Sequence, residues 1–363
     1  MDFSFSEDAE MVRQTAHEFV RRDLLPKEPS YLNSKDDAAR RQIADTATDS
    51  LKEMGLYSAG VPEQFGGGGL GLLESCLVVE ELSRTIIPVE WGELTPILYE
   101  CSDAQKADYL TPVVEGRKRY AIAFDEPPDT VLDYARATPA DSPFYLNLLS
   151  VSPFDGGYVL LGNKLLSRPD FDFFLAFARA PEGPTCFIVD HRGRNERRLT
   201  LENLQVRPDK VLGAPGKALS LGRKWFPHSR IQRAAAILGA CDRLLEVNAQ
   251  YAHDWNSLGR PIHERTSVQR IIADMAGDIE ALRWLIYRAA WLAAEAKKVE
   301  YDSMLVKLQA QRVLTDTVNR SVRIHGGTMP AIAEWLAKSA RDTDSADLLR
   351  LAVARETISR LLP

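Results

Sequence analysis

The sequence predicts an α+β protein in three zones: an N-terminal helical domain over 1–117, a middle antiparallel β-domain over 118–225, and a C-terminal helical bundle over 226–363. Three observations carry that prediction. In the last zone Val268, Ile272, Met275, Ile279, Leu282, Ile286 and Ala289 alternate spacings of four and three, the seam of a helix bundle. In the middle zone, short β-favouring runs recur between turn clusters. And 363 residues exceed what one hydrophobic core usually supports, so two or three domains are expected.

The first helix starts at Ser6, whose hydroxyl can cap it. Glu7, Asp8 and Glu10 then place negative charge at the positive end of its dipole, and Val12, Ala16 and Phe19 share one apolar face. A glycine-rich loop from Val61 to Gly69 separates this region from an apolar helix through Leu77, Val78 and Leu82. Gly66 to Gly69 looks like a phosphate cradle, but no Lys-Ser/Thr pair follows and a helix precedes it, so a surface turn is expected.

The β-favouring runs are Tyr120–Phe124, Tyr158–Leu161, Phe173–Phe177 and Thr185–Val189, with turns at Asp155-Gly156-Gly157 and Pro181 to Pro184. They read as a sandwich or barrel. Beyond the seam, Met304, Leu308, Val318 and Val322 continue a helical stripe on which Gln311 and Thr315 also fall. Two readings are open there: paired polar groups in a core, or a contact with a subunit or cofactor. The helices are broken at Ile324-His325-Gly326-Gly327 and at the acidic turn Asp342-Thr343-Asp344-Ser345.

Composition narrows the function classes. With 45% hydrophobic and 26% charged residues this is an ordinary globular composition, and a formal charge of -6 gives no electrostatic case for nucleic acid or anionic membrane. No apolar run approaches the ~18 residues of a membrane span, and Met1-Asp2-Phe3-Ser4 does not open a secretory signal. Cys76, Cys101, Cys186 and Cys241 are scattered, without CxxC or Cys/His pairing, so neither zinc nor a disulfide framework is expected. Idle thiols fit a reducing, cytoplasmic setting.

Several phrases then fall in a telling order. Leu51-Lys-Glu-Met-Gly-Leu56 leads into Val61-Pro-Glu-Gln-Phe-Gly-Gly67 and Glu80-Glu81-Leu82. Glu202-Asn-Leu-Gln-Val206 precedes Val211-Leu-Gly213; Pro261-Ile262 leads to Val268-Gln269, Ala273-Asp-Met275 and finally Ile324-His-Gly-Gly327. Together, over nearly the whole chain, these resemble the acyl-CoA dehydrogenase family. The resemblance implies a fold in which FAD lies between the β-domain, the bundle and a neighbouring subunit. It also implies α,β-desaturation of a CoA thioester, with a carboxylate removing the α-proton while the β-hydride moves to the flavin.

The residues that should do this are missing. The resemblance places the base in a loop before the last helix. Here Ala340-Arg341-Asp342 matches the start of that segment and Leu349-Arg350 the final helix, with no glutamate between them. Some members carry the base on an earlier helix before an arginine, where this chain has Ser229 before Arg230. Asp344, or Asp342, is a substitute one methylene shorter; alternatively Asp344 or Ser345 caps the terminal helix.

Flavin contacts are eroded in the same way. A threonine-glutamate-proline turn becomes Asp125-Glu126-Pro127, followed by Pro128-Asp129, and a tryptophan-bearing strand end becomes Lys164-Leu-Leu-Ser-Arg168. The arginine, phenylalanine and glutamine that the resemblance sends across the subunit boundary match Trp255, Leu258 and Thr266. What remains for cofactor binding is Arg323, Gly326 and Gly327, with Arg265 and Thr266 beside them. The glycines would let adenine or phosphate approach the backbone and the arginines supply charge. The paired glycines equally suit a helix C-cap.

Three functions are therefore expected in contest. The resemblance is closest to the base-lacking subunit of heteromeric α2β2 bacterial acyl-CoA dehydrogenases, some of which degrade steroids. Such a subunit completes an FAD site with a homologous catalytic partner that acts on acyl-CoA. The alternatives are a self-sufficient dehydrogenase using Asp344, and a non-redox CoA-ester binder or structural partner.

Overall fold

The computed structural model describes residues 5–91, 97–125, 149–154, 156–168, 170–193, 198–328, 330–339 and 346–362. They form two compact units, neither continuous in sequence. One comprises Met1–Gly60, Gly68–Trp91 and His228–Asp342, the other Val61–Gly67, Gly92–Pro227 and Thr343–Pro363.

The first unit is helical. Helix α1 (Glu7–Phe19) is capped as its sequence predicts, with the Ala9 N–H donating to Ser6 Oγ at 3.2 Å. Helices α2 (Glu28–Asn33), α3 (Asp37–Glu53) and α4 (Leu72–Leu82) follow. Their apolar faces bury Phe19, Leu24, Leu51, Val78 and Leu82 with Ala240 and Leu244 of the long helix α5 (Ala218–Asp254). Helices α4 and α5 touch backbone to backbone. A Cβ at Gly239 would collide with the Glu80 carbonyl, so only glycine permits this approach.

Two further helices complete the bundle, α6 (Thr266–Ala294) and α7 (Glu300–Ile324). On α6 the seam residues Val268, Met275, Ile279, Leu282, Ile286 and Ala289 are buried, and Ile272 is half-buried. On α7 the apolar stripe is met only in part: Met304 is buried and Leu308, Val318 and Val322 are half-buried, while the buried face also takes in Ser303, Lys307, Ala310, Val313, Leu314, Thr317 and Ser321. Buried polar groups widen that face. Ser321 Oγ donates to Asn248 Oδ1 at 2.8 Å, and Asn248 Nδ2 donates to the Leu244 carbonyl at 2.6 Å. Thr315 is exposed and its hydroxyl bonds the Gln311 carbonyl.

A charge cluster ties α4, α5 and α6 together. Arg283 Nη2 donates to both Asp242 oxygens at 2.9 and 2.8 Å, and Arg283 also pairs with Glu80. The Tyr287 hydroxyl donates to the second Glu80 oxygen at 2.8 Å. Burial pushes the Glu80 carboxyl up to about 7, opposed by the Arg283 charge and the Tyr287 hydrogen bond.

The second unit is built on a seven-stranded sheet. Its strands are β1 (Tyr120–Asp125), β2 (Leu149–Phe154), β3 (Gly157–Leu166), β4 (Phe173–Ala180), β5 (Gly183–Val189), β6 (Arg198–Val206) and β7 (Val211–Leu212). The order is β1-β3-β2-β4-β5-β7, with β6 also on β3. Strand β4 is apolar and buried from Phe173 to Ala178 because both its faces are covered there. Phe173, Leu175 and Phe177 enter one core with Ile122, Leu110 and Trp225, while Phe174, Ala176 and Ala178 enter another with Ala123, Phe187 and Val189.

Hairpin pairs β2–β3 and β4–β5 are antiparallel, as the turn clusters predict. The sheet is nevertheless mixed, since β4 lies parallel to β1 and to β2. Local turn grammar specifies sequence neighbours and carries no information about such crossovers. Helices α8 (Ala331–Ser339) and α9 (Ala346–Leu361) close the chain, α8 in the first unit and α9 in the second.

Among the described residues no helix is long and apolar enough to cross a membrane, and no group of three or more His, Cys, Asp or Glu is placed to hold a metal. The four cysteines are free and buried. Burial pushes the Cys101 and Cys241 thiols up to about 12, which leaves them protonated at neutral pH.

Candidate active and cofactor site

The helix position expected to hold a base is occupied by a serine that is already engaged. Ser229 lies on α5, 5% exposed, and its Oγ accepts from Arg233 Nε at 3.4 Å. A hydroxyl whose lone pair faces a guanidinium is a poor proton acceptor at neutral pH. Asp342, Asp344 and Ser345, the other base and cap candidates, lie outside the described residues, between the end of α8 and the start of α9. So do Glu126, Pro127, Pro128 and Asp129.

The strand end at Lys164–Arg168 is knitted into the sheet. Leu166 pairs with Ala123 and is 1% exposed, packed among Phe171, Phe174 and Leu199. Ser167 Oγ accepts from the Ile122 N–H at 2.9 Å, and Arg168 Nε donates to the Asp170 carbonyl at 2.7 Å. This strand end presents no aromatic side chain, and its serine hydroxyl is committed to backbone.

The cofactor candidates fall into two groups in the first unit. Arg265 and Thr266 begin α6 and are exposed; Arg265 Nη2 donates to the Ser257 carbonyl at 3.1 Å and to Ser257 Oγ at 2.8 Å. Ser257 belongs to a hairpin, β8 (Asn256–Ser257) with β9 (Arg260–Pro261), turned by Leu258 at φ 55° and Gly259 at φ 76°. Two positive-φ residues suit such a two-residue turn, but leucine is an unusual choice for one.

Arg323, Gly326 and Gly327 lie at the end of α7 and are exposed. The glycines have φ of 67° and 96°, with the Gly327 N–H donating to the Val322 carbonyl at 2.8 Å and the Gly326 N–H to the Arg323 carbonyl at 3.3 Å. That pattern is a Schellman cap, so both amides serve the helix. The space beside both glycines is open, with no atom within 4 Å of where a Cβ would be.

Beside the cap stands a feature the sequence did not disclose. Tyr251 of α5 stacks with two rings, His325 at 3.7 Å and Trp255 at 5.6 Å between centroids, the planes within 27° and 12°. The Tyr251–Trp255 spacing of four across the end of α5 was a usable signal, whereas His325 joins only through the return of α7. Burial lowers the His325 pKa, so the ring is neutral at pH 7.

Family models match most of the chain. The acyl-CoA dehydrogenase N-terminal domain matches residues 6–117 and the acyl-CoA dehydrogenase C-terminal domain residues 219–355. The chain belongs to the acyl-CoA dehydrogenase family. It is 29% identical over 367 residues to (R)-benzylsuccinyl-CoA dehydrogenase of Thauera aromatica, covering 90% of this chain and 88% of that one. In fold it resembles butyryl-CoA dehydrogenase from Megasphaera elsdenii (TM-score 0.77, 22% identity, 99% and 100% of the two chains). It likewise resembles a chain of the ChsE4-ChsE5 complex from Mycobacterium tuberculosis (TM-score 0.76, 22% identity, 100% and 99%).

FAD is the cofactor of that family. The described residues suit its two ends unequally. The β3 end offers a core leucine and a spent hydroxyl, which do not fit a flavin ring. The α7 end offers open glycines, the exposed Arg323 and stacked rings, which fit contact with a nucleotide.

Proposed function

We propose that this chain is the base-lacking subunit of a heteromeric acyl-CoA dehydrogenase, an α2β2 assembly with a homologous catalytic partner. The observation that carries this reading is Ser229, buried at the helix position for a base and engaged by Arg233. The interval 340–345 agrees, because it holds aspartates but no glutamate. That a structural relative is half of a named two-component complex supports the assembly.

In this reading the partner carries the carboxylate and the flavin-ring contacts. This chain's first unit helps complete the FAD site through Arg323, Gly326, Gly327, Arg265 and Thr266. When bound, FAD supplies the hydride acceptor. The zones 1–117, 118–225 and 226–363 act as helical, β and oligomerising domains, and the complex works in the cytoplasm. The substrate is an acyl-CoA thioester, with steroid-derived acyl groups the first class to assay. Replacing the partner's base carboxylate by glutamine is expected to abolish turnover of the complex, while Asp344→Asn in this chain leaves it intact. Loss of turnover in the Asp344→Asn complex, with flavin still bound, would instead make this chain a self-sufficient enzyme.

A further inference from the structure

A cleft of about 330 Å³ opens in the first unit between the N-terminal end of α1 and the buried charge cluster. Phe5, just before the Ser6 cap, sets its ring edge-on to Tyr287 at 5.4 Å and lines the cleft with Trp284. Four carboxylates, Glu10, Glu80, Glu81 and Asp242, and three arginines, Arg13, Arg84 and Arg283, share the lining. With Glu80 protonated these charges balance; with Glu80 ionised the lining carries one uncompensated negative charge. Burial, with Asp242 and Glu81 alongside, pushes the Glu80 carboxyl up to about 7, so the balance changes near neutral pH.

The groups that face Glu80 differ in their freedom to answer that change. On α4, Arg84 is held by Glu81 at 3.5 Å and by Glu246. On α5, Asp242 is held by Arg283 at 2.8 Å and by Arg84 at 3.5 Å. On α6, Arg283 is committed to Glu80, Asp242 and Glu280, and the Tyr287 hydroxyl to Glu80. Helix α1 contributes His17, whose Nδ1 lies 3.0 Å from Glu81 Oε2, and Arg13.

Arg13 is the mobile cation of the set. Its side chain is 40% exposed, against 17% and 21% for Arg84 and Arg283, and it donates to Glu10 of its own helix at 2.6 and 3.1 Å. An exposed pair three residues apart is worth little, so it can be exchanged for an interior carboxylate at small cost. Glu10 chiefly raises the Arg13 pKa and Glu81 adds to it, which puts the guanidinium within the field of the inner carboxylates already.

We propose that Arg13 is a switchable counter-ion that closes this cleft as pH rises: when Glu80 ionises, Arg13 leaves Glu10 and turns inward to Glu80 and Glu81, drawing the first turn of α1 and Phe5 down onto Tyr287 and Trp284. The proton goes to solvent and the guanidinium replaces it as the neutralising charge. The device belongs to the helical unit alone and does not depend on whether the chain holds flavin.

Hydrogen exchange of the full chain, read by mass spectrometry on peptides spanning α1 at about pH 6 and about pH 8, tests the switch once the intrinsic rise of exchange with pH is removed. Exchange at the first turn of α1 is expected to be about three- to fivefold slower at the higher pH, the scale of one exposed ion pair. Arg13→Gln, which leaves the Arg283 cluster intact, should abolish the slowing, and so should Glu80→Gln; His17→Asn should keep it. If Glu80→Gln does not fold, Arg13→Gln decides alone. Three results overturn the proposal: exchange at α1 unchanged or faster at the higher pH, slowing that survives in either Arg13→Gln or Glu80→Gln, or slowing lost in His17→Asn. Ionisation of Glu80 is expected to lower global stability over the same window, so a general loosening of the fold has the opposite sign and cannot mimic the result.

Discussion

Two regions of helix α5 treat polar groups in opposite ways. In its middle, Asp242 meets Arg283 and Arg84, and Arg283 in turn meets Glu80, whose second oxygen accepts from Tyr287. At its end, Trp255, one residue beyond the helix, stacks on Tyr251, and His325 Nε2 and Arg243 Nε lie buried without hydrogen-bond partners. The first region closes on itself and holds α4, α5 and α6 in register. The second leaves hydrogen-bonding capacity unspent beside an exposed ring, as Ser75 and Gln232 do elsewhere among the described residues. Charge is paired in the first region and polarity is left unpaired in the second.

Breaking the closed region should have the largest effect. Arg283→Ala strands Glu80 and Asp242 together in the interior, and a loss of about 3–5 kcal/mol is expected from chemical unfolding. A loss below about 1 kcal/mol would show that solvent reaches these carboxylates and that the cluster is not closed.

The same cluster should set a pH dependence of opposite sign to that of an ordinary salt-bridged carboxylate. Glu80 is raised from 4.5 to about 7 chiefly by burial, so between those values the folded chain holds a proton that the unfolded chain has released. Stability is then expected to fall as pH rises through that window and to level off above it. Glu80→Gln should flatten the slope; an unchanged slope in that variant would assign it to another group.

At the open end the expected effect is smaller and favourable. Leu258, 95% exposed, holds φ 55° in the β8–β9 turn. Leu258→Asn should raise stability by roughly 1 kcal/mol, since asparagine tolerates that conformation. If thermal unfolding shows no gain, leucine is not strained there, and the exposed position has no stability cost to explain.

How much of this was legible in the sequence depends on whether a signal is local. The α6 seam and the β4 run could be read directly, because burial on one helical stripe, or on both faces of a strand, writes itself as periodicity. Ser6 announced its cap for the same reason. The α7 stripe placed Met304 correctly but missed the polar part of the buried face, since Ser303, Lys307, Thr317 and Ser321 are buried and hydrophobicity points away from them. The parallel pairing of β4 with β1 and β2 was out of reach, as was the ring column, which needs α7 to bring His325 back against α5. Gly326 and Gly327 were ambiguous in sequence between cap and ligand site. The cap is formed, and the open space beside it leaves room for a ligand as well.

The visible absorption spectrum of this chain, purified alone and then co-expressed with a homologous acyl-CoA dehydrogenase that carries a base, tests the subunit reading most directly. Flavin absorption is expected only in the co-purified complex. Stoichiometric flavin in the lone chain, bleached on adding an acyl-CoA thioester, would contradict it.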